Sequence, residues 1–138
     1  MREGRMSAKT KAGRYAAGLV VLPLVFFSAT EAFAMKASFS WAGIPACDKI
    51  SPAFSISDAP PETKNLRFTL HDDDAPRFRH GGSTVVYEGG QVPQGAISYI
   101  GPCPPEGQVH HYVWTVEALD DRGHVLARTT ASGDFPVK

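Results

Sequence analysis

Cysteine is scarce, with two in 138 residues, and no paired-cysteine motif of the kind that holds structural zinc is present. Neither sign of charge prevails either: 14 Lys and Arg stand against 14 Asp and Glu. Beyond residue 34 the balance turns slightly acidic, with nine basic and twelve acidic side chains. A phosphate backbone requires a clustered basic footprint, so this composition argues against nucleic acid as a partner. Long apolar runs are absent; the longest, residues 16–27, has twelve residues and is interrupted by Pro23. That falls short of the roughly 20 residues a membrane-spanning helix needs. There is no HExxH and no nucleophile elbow, which leaves the common hydrolase signatures without support. Internal repeats, low-complexity tracts and a convincing amphipathic helix are missing as well, so the structure has to come from strands.

What is present begins with a basic segment (Arg2, Arg5, Lys9, Lys11, Arg14), the apolar run and then Ala32-Phe33-Ala34. This is the pattern of a secretory signal peptide over residues 1–34, whichever of Met1 and Met6 is the start. Cleavage there leaves no transmembrane anchor and implies a periplasmic or secreted protein. Residues 35–138 are enough for one compact domain with one core.

Residues 101–121, GPCPPEGQVHHYVWTVEALDD, organise the rest. Pro102, Pro104 and Pro105 fix their own φ angles and stiffen the turn; residues 112–119 are then aromatic and β-branched, as in a strand. Alternation places His110, Tyr112, Trp114 and Val116 on one face and His111, Val113, Thr115 and Glu117 on the other. Bulk on both faces predicts a central strand. Earlier in the chain, Ala37, Phe39 and Trp41 alternate with polar residues up to Gly43, Phe54 and Ile56 suggest a second strand, and Leu66, Phe68 and Leu70 form the clearest amphipathic one. Residues 84–87 and 96–100 read as strands, residues 88–93 as a turn. Asp120-Asp121-Arg122-Gly123 is a tight turn that returns residues 124–130 antiparallel. Short strands between Gly and Pro turns predict an all-β antiparallel sandwich with little helix. Trp41, Phe39, Phe54, Phe68, Trp114 and Val116 are its expected core.

Two polar clusters stand out at strand ends: Asp72, Asp74 and His80 after the third strand, and His110 with Tyr112 at the start of the long one. Acidic residues before a proline also simply make turns, and a strand histidine is commonly a satisfied polar group. His71, His111 and His124 read as surface or turn residues. Cys47 and Cys103 can pair in an oxidising compartment, the alternative being two buried free thiols.

Several stretches resemble the phosphatidylethanolamine-binding protein family, most closely its bacterial YbhB/YbcL, Raf kinase inhibitor-like branch. They are Ser51-Pro52-Ala53-Phe54, Ala59-Pro60-Pro61-Glu62-Thr63-Lys64, Asp72-Asp73-Asp74-Ala75-Pro76 where the family has DPDAP, and GPCPPEGQVHHYVWTVEALD. The resemblance implies a β-sandwich-like fold with a small anion pocket at one end of the sheet, taking phosphate or a phosphorylated headgroup, with no enzymatic activity and no cofactor. Asp72 and Asp74 match the acidic positions of the signature, Gly101 and Pro104 the pocket rim, His110 and Tyr112 the HxY motif, and His80 the other pocket histidine. Asp73 replaces the signature's proline, and residues 77–82 replace a tryptophan-rich segment. The chain is also short for the family, with no counterpart expected for the C-terminal segment that borders the pocket in longer members.

Carboxylates next to His80 and His110 favour imidazolium forms, which donate from both ring nitrogens, so phosphate should bind more weakly as pH rises. Asp74, facing the pocket, would meet an ethanolamine ammonium. Two rivals remain: a metal-assisted hydrolase using His80, His110 and Asp72, and an interaction module that inhibits or modulates a protein target through another surface.

Overall fold

The computed structural model describes residues 34–137 and, outside them, only Gly4 and Gly13. The signal-peptide reading of residues 1–34 therefore lies outside the described residues, save for those two glycines and Ala34. Seven strands follow in order: β1 (Lys36–Phe39), β2 (Phe54–Ser57), β3 (Asn65–Asp72), β4 (Thr84–Val86), β5 (Gln91–Val92), β6 (His110–Leu119) and β7 (Val125–Phe135). No α-helix occurs among the described residues.

They form two antiparallel sheets, one ordered β1-β2-β5 and one β4-β3-β6-β7. The long strand β6 is central, between β3 and β7, because both of its faces carry side chains that need cover. Its inner face alternates as its sequence does, with Tyr112, Trp114, Val116 and Ala118 all buried. Strand β3 presents Leu66, Phe68, Leu70 and Asp72 inward by the same period of two. The sheets meet through aromatic contacts: Phe54 of β2 lies 4.9 Å from Phe68 and 5.4 Å from Trp114, ring centre to ring centre. Such packing makes an antiparallel sandwich, and all six aromatic and aliphatic residues expected in the core are buried in it or packed against it.

Three local expectations need correction. Residues 96–100 keep the alternation, with Ile97 and Tyr99 buried, but form no ladder. Their backbone is satisfied otherwise: the Ile97 amide donates to Ser51 Oγ (3.1 Å), the Ser98 amide to Ser83 Oγ (2.9 Å) and the Ile100 amide to the His80 carbonyl (2.8 Å). Within the expected turn 88–93, Gln91 and Val92 pair with β2 as β5, since Val92 can bury beside Phe54. Strand β1 stops at Phe39 rather than near Gly43; the Ala42 amide turns back to Ser40 Oγ (3.1 Å).

Cys47 and Cys103 form a disulfide with Cα atoms 4.5 Å apart, and both residues are exposed rather than buried. Closing a 56-residue separation stabilises the fold by about 4 kcal/mol in the chain-entropy account. Two glycines permit the close approaches around this end of the sandwich. A Cβ on Gly101 would sit 1.8 Å from the Asp48 carbonyl oxygen, and one on Gly82 would sit 1.9 Å from that of Phe68. The first lets the proline turn press against the Cys47 loop; the second lets residues 81–83 run along β3, where Gly81 and Ser83 carbonyls accept the Leu70 and Phe68 amides.

Candidate functional site

Register decides what meets at the end of β3. Asp72 pairs with Tyr112 across the β3–β6 ladder, which sets the carboxylate beside the first residues of β6. Asp72 Oδ2 accepts from His110 Nδ1 at 2.8 Å, and Oδ1 accepts the amides of Asp74 (2.9 Å) and Ala75 (3.0 Å). Asp72 is only 2% exposed. Burial alone would raise its carboxyl, yet the His110 hydrogen bond and the two amides outweigh it and hold the group below its ordinary value of 3.8.

His80 approaches from the loop after β3. Its Nδ1–H donates to the Ile100 carbonyl at 2.7 Å, as a carbonyl can only accept. The opposite nitrogen, Nε2, is turned toward Asp72 Oδ2, 3.7 Å away, too far for a hydrogen bond. It is buried and has no hydrogen-bond partner among the described residues. Tyr112 stands edge-on to the His80 ring at 5.4 Å. Burial, then the Asp72 carboxylate, push the Tyr112 hydroxyl well above its ordinary value, so it remains a neutral donor. Along β6, the His110 Nε2 is within 3.2 Å of Gln108 Oε1.

These groups line one cavity of about 410 Å³, walled by Asp72, His80, His110 and Tyr112 and completed by Ala75, Phe78, Cys103 and Pro105. The other three residues expected at the site are placed differently. Asp74 is exposed and its Oδ2 accepts the His111 amide at 2.7 Å; Pro104 lies between the wall residues Cys103 and Pro105, and neither it nor Gly101 is part of the wall. Carboxylate and imidazole atoms of Asp72, Asp74 and His110 lie within 4.8 Å of one another, a spacing compatible with a cation. Most of those atoms are already engaged in the hydrogen bonds just described. The larger 630 Å³ groove of Lys36, Ser38, Ser55 and Thr129 between β1, β2 and β7 holds no comparable set of titratable groups.

The profile of the family described as "Phosphatidylethanolamine-binding protein" matches residues 79–135, which carry His80, the proline turn, His110 and Tyr112. A UPF0098 protein of Methanothermobacter thermautotrophicus is 34% identical, over 54% of this chain and 64% of its own length. The UPF0098 protein YbhB of Escherichia coli K12 is 32% identical, over 53% of this chain and 61% of its own. These matches support a bacterial member of the phosphatidylethanolamine-binding protein family. Its matches span less than two thirds of those relatives' length.

Solved structures agree on the fold. A protein described as a homologue in this family from Chlamydia trachomatis superposes with a TM-score of 0.56 at 21% identity, covering 78% of this chain and all of the other. YbcL of E. coli gives 0.50 at 21% identity, covering 65% and 82%.

Within this family frame, the residues that reading the sequence missed are Ala75, Phe78, Cys103, Pro105 and Gln108. All five sit in loops, where no strand periodicity points inward. Gln108 had a usable signal: it precedes His110 by two residues and so shares its side of an extended chain.

Proposed function

We propose that the chain is a non-enzymatic binding protein that takes phosphate, or a phosphorylated headgroup such as that of phosphatidylethanolamine, in the cavity at the Asp72 end of β3. Membership of the family supports a ligand-binding protein of this type. The observation that carries the finer reading is His80 Nε2, a buried nitrogen without a hydrogen-bond partner among the described residues, on a ring that lines the small cavity. A polar atom in that position costs stability unless something pairs with it, which makes it a site for an incoming group.

The Ile100 carbonyl fixes His80 Nδ1–H, so that the ring, whenever it carries a second proton, offers a second N–H to an anion. Asp72 does the same for His110, whose Nε2 becomes available once the Gln108 side chain swings aside. Tyr112 supplies a neutral hydroxyl from the floor. Asp72 keeps its charge inside the cavity, so an ammonium-bearing phosphate is better suited than a bare dianion. We further propose that residues 1–34 direct export and are removed, and that the domain works in the periplasm or outside the cell, where a phospholipid headgroup or a protein target is within reach.

Calorimetry with glycerophosphoethanolamine and with inorganic phosphate tests the binding reading. His80→Ala should weaken both by about tenfold or more, the worth of a charge-assisted hydrogen bond. Unchanged affinity in a variant that keeps its thermal midpoint would overturn it.

A further inference from the structure

The wall of the cavity does not end at Phe78. That side chain is 51% exposed, its ring lies 4.6 Å from the His80 ring, and its other side borders a second depression of about 560 Å³. Thr69 and His71, the solvent-facing residues of β3, form part of that depression; Arg77 and Arg79 form another part. Neither arginine makes an ion pair among the described residues. Asp73, in the turn after β3, is turned to His71 at 3.6 Å. Two cationic forks thus face solvent next to an aromatic ring that is also the rim of the anion cavity. A guanidinium matches a phosphate by two parallel N–H bonds, and holding two of them beside one ring has no structural use in the packing described above.

We propose that the two depressions act as one bipartite site for a small molecule bearing two phosphate-type groups, the first at His80 and the second at Arg77 and Arg79, with the connecting carbons lying over Phe78. This inference rests on the anion reading of the His80 cavity. Three residue steps separate Arg77 from His80, so their Cα atoms are at most about 10 Å apart. That span suits a bisphosphate on a short carbon skeleton, whether free in solution or as the headgroup of a diphosphate lipid.

The test compares inorganic phosphate with fructose 1,6-bisphosphate by calorimetry on the native chain and on the double variant Arg77→Ala/Arg79→Ala, both checked by circular dichroism. The native chain should prefer the bisphosphate by about tenfold or more, as expected for an added pair of charge-assisted bonds. The variant should lose that preference, its affinity ratio falling to about one or two. Pelleting with phosphatidylcholine vesicles with and without cardiolipin distinguishes the sources. Capture by cardiolipin together with the soluble preference supports a lipid headgroup, and the soluble preference without capture supports a free bisphosphate. A native ratio near one, or a ratio that survives loss of both arginines, overturns the bipartite site while leaving the phosphate reading intact. Failure of both ligands to bind overturns the two together.

Discussion

Strands β3 and β6 each carry a buried carboxylate toward opposite ends of the molecule, and the two are treated in opposite ways. Glu117 on β6 is held by two arginines: Arg67 Nε donates to Oε2 at 2.6 Å and Arg128 Nε to Oε1 at 2.9 Å, with the Arg128 terminal nitrogen on the same oxygen. Burial would raise its carboxyl, but the Arg128 and Arg67 bonds bring it below its ordinary value of 4.5. Both oxygens are used, and both partners are permanently charged. Asp72 on β3 is likewise held low, but by a histidine and two backbone amides, and the second histidine beside it keeps a buried nitrogen without a hydrogen-bond partner among the described residues, 3.7 Å from the same carboxylate. A closed clamp fixes strand register. An open arrangement of the same charge, with partners that can change protonation, is what a binding site needs.

The sharpest way to break this contrast is Asp72→Ala. It removes the acceptor of one ring and two amides in a buried place and should cost about 2–4 kcal/mol in chemical denaturation; phosphate affinity should fall with it. Glu117→Gln should cost less, about 1–2 kcal/mol, because the arginine side chains are half-exposed and regain water, and should leave ligand affinity unchanged. A loss of affinity there would mean that the two ends are coupled.

Acid sharpens the same comparison. Both carboxyls are depressed in the folded state, so each contributes stability that is fully present above its unfolded value, 3.8 for Asp72 and 4.5 for Glu117, and lost as pH falls through the lower folded value. Denaturation midpoints measured from pH 6 downward should drop below about pH 4.5, with a shallower drop in Asp72→Asn and in Glu117→Gln than in the native chain.

The smallest effect belongs to the exposed pair His111 and Asp134, 2.7 Å apart. Its hydrogen bond to Asp134 raises the His111 imidazole above 6.5. The stability it gives is present below that value and lost as pH rises through the raised one. With side chains 45% and 67% exposed, its loss in His111→Ala should stay within about 0.5 kcal/mol and vanish in high salt.

Periodicity alone settled much of the architecture. Leu66, Phe68 and Leu70 against Arg67 and Thr69, and Tyr112, Trp114 and Val116 against their neighbours, commit those stretches to strands with one chosen inner face, since a slip by one residue would expose every apolar group. The Asp120 to Gly123 turn was equally explicit: Asp120 Oδ1 accepts the Arg122 and His124 amides, which its own sequence neighbourhood dictates. Pairing partners were another matter. Residues 96–100 alternate as a strand does yet bond to Ser51, Ser83 and His80 instead of a ladder, whereas the plain pair Gln91 and Val92 joins a sheet.

Sequence by itself thus determined the strand class, the central place of β6, the resemblance to a family and the residue types available for chemistry, because these follow from local alternation, turn residues and short motifs. Only the tertiary structure decided which of the marked residues share a cavity. Asp72, His80, His110 and Tyr112 do so because the β3–β6 register sets Asp72 opposite Tyr112 and the Gly82 approach brings the His80 loop back along β3. Asp74 turns outward, because one residue beyond an Asx turn the chain has already changed direction.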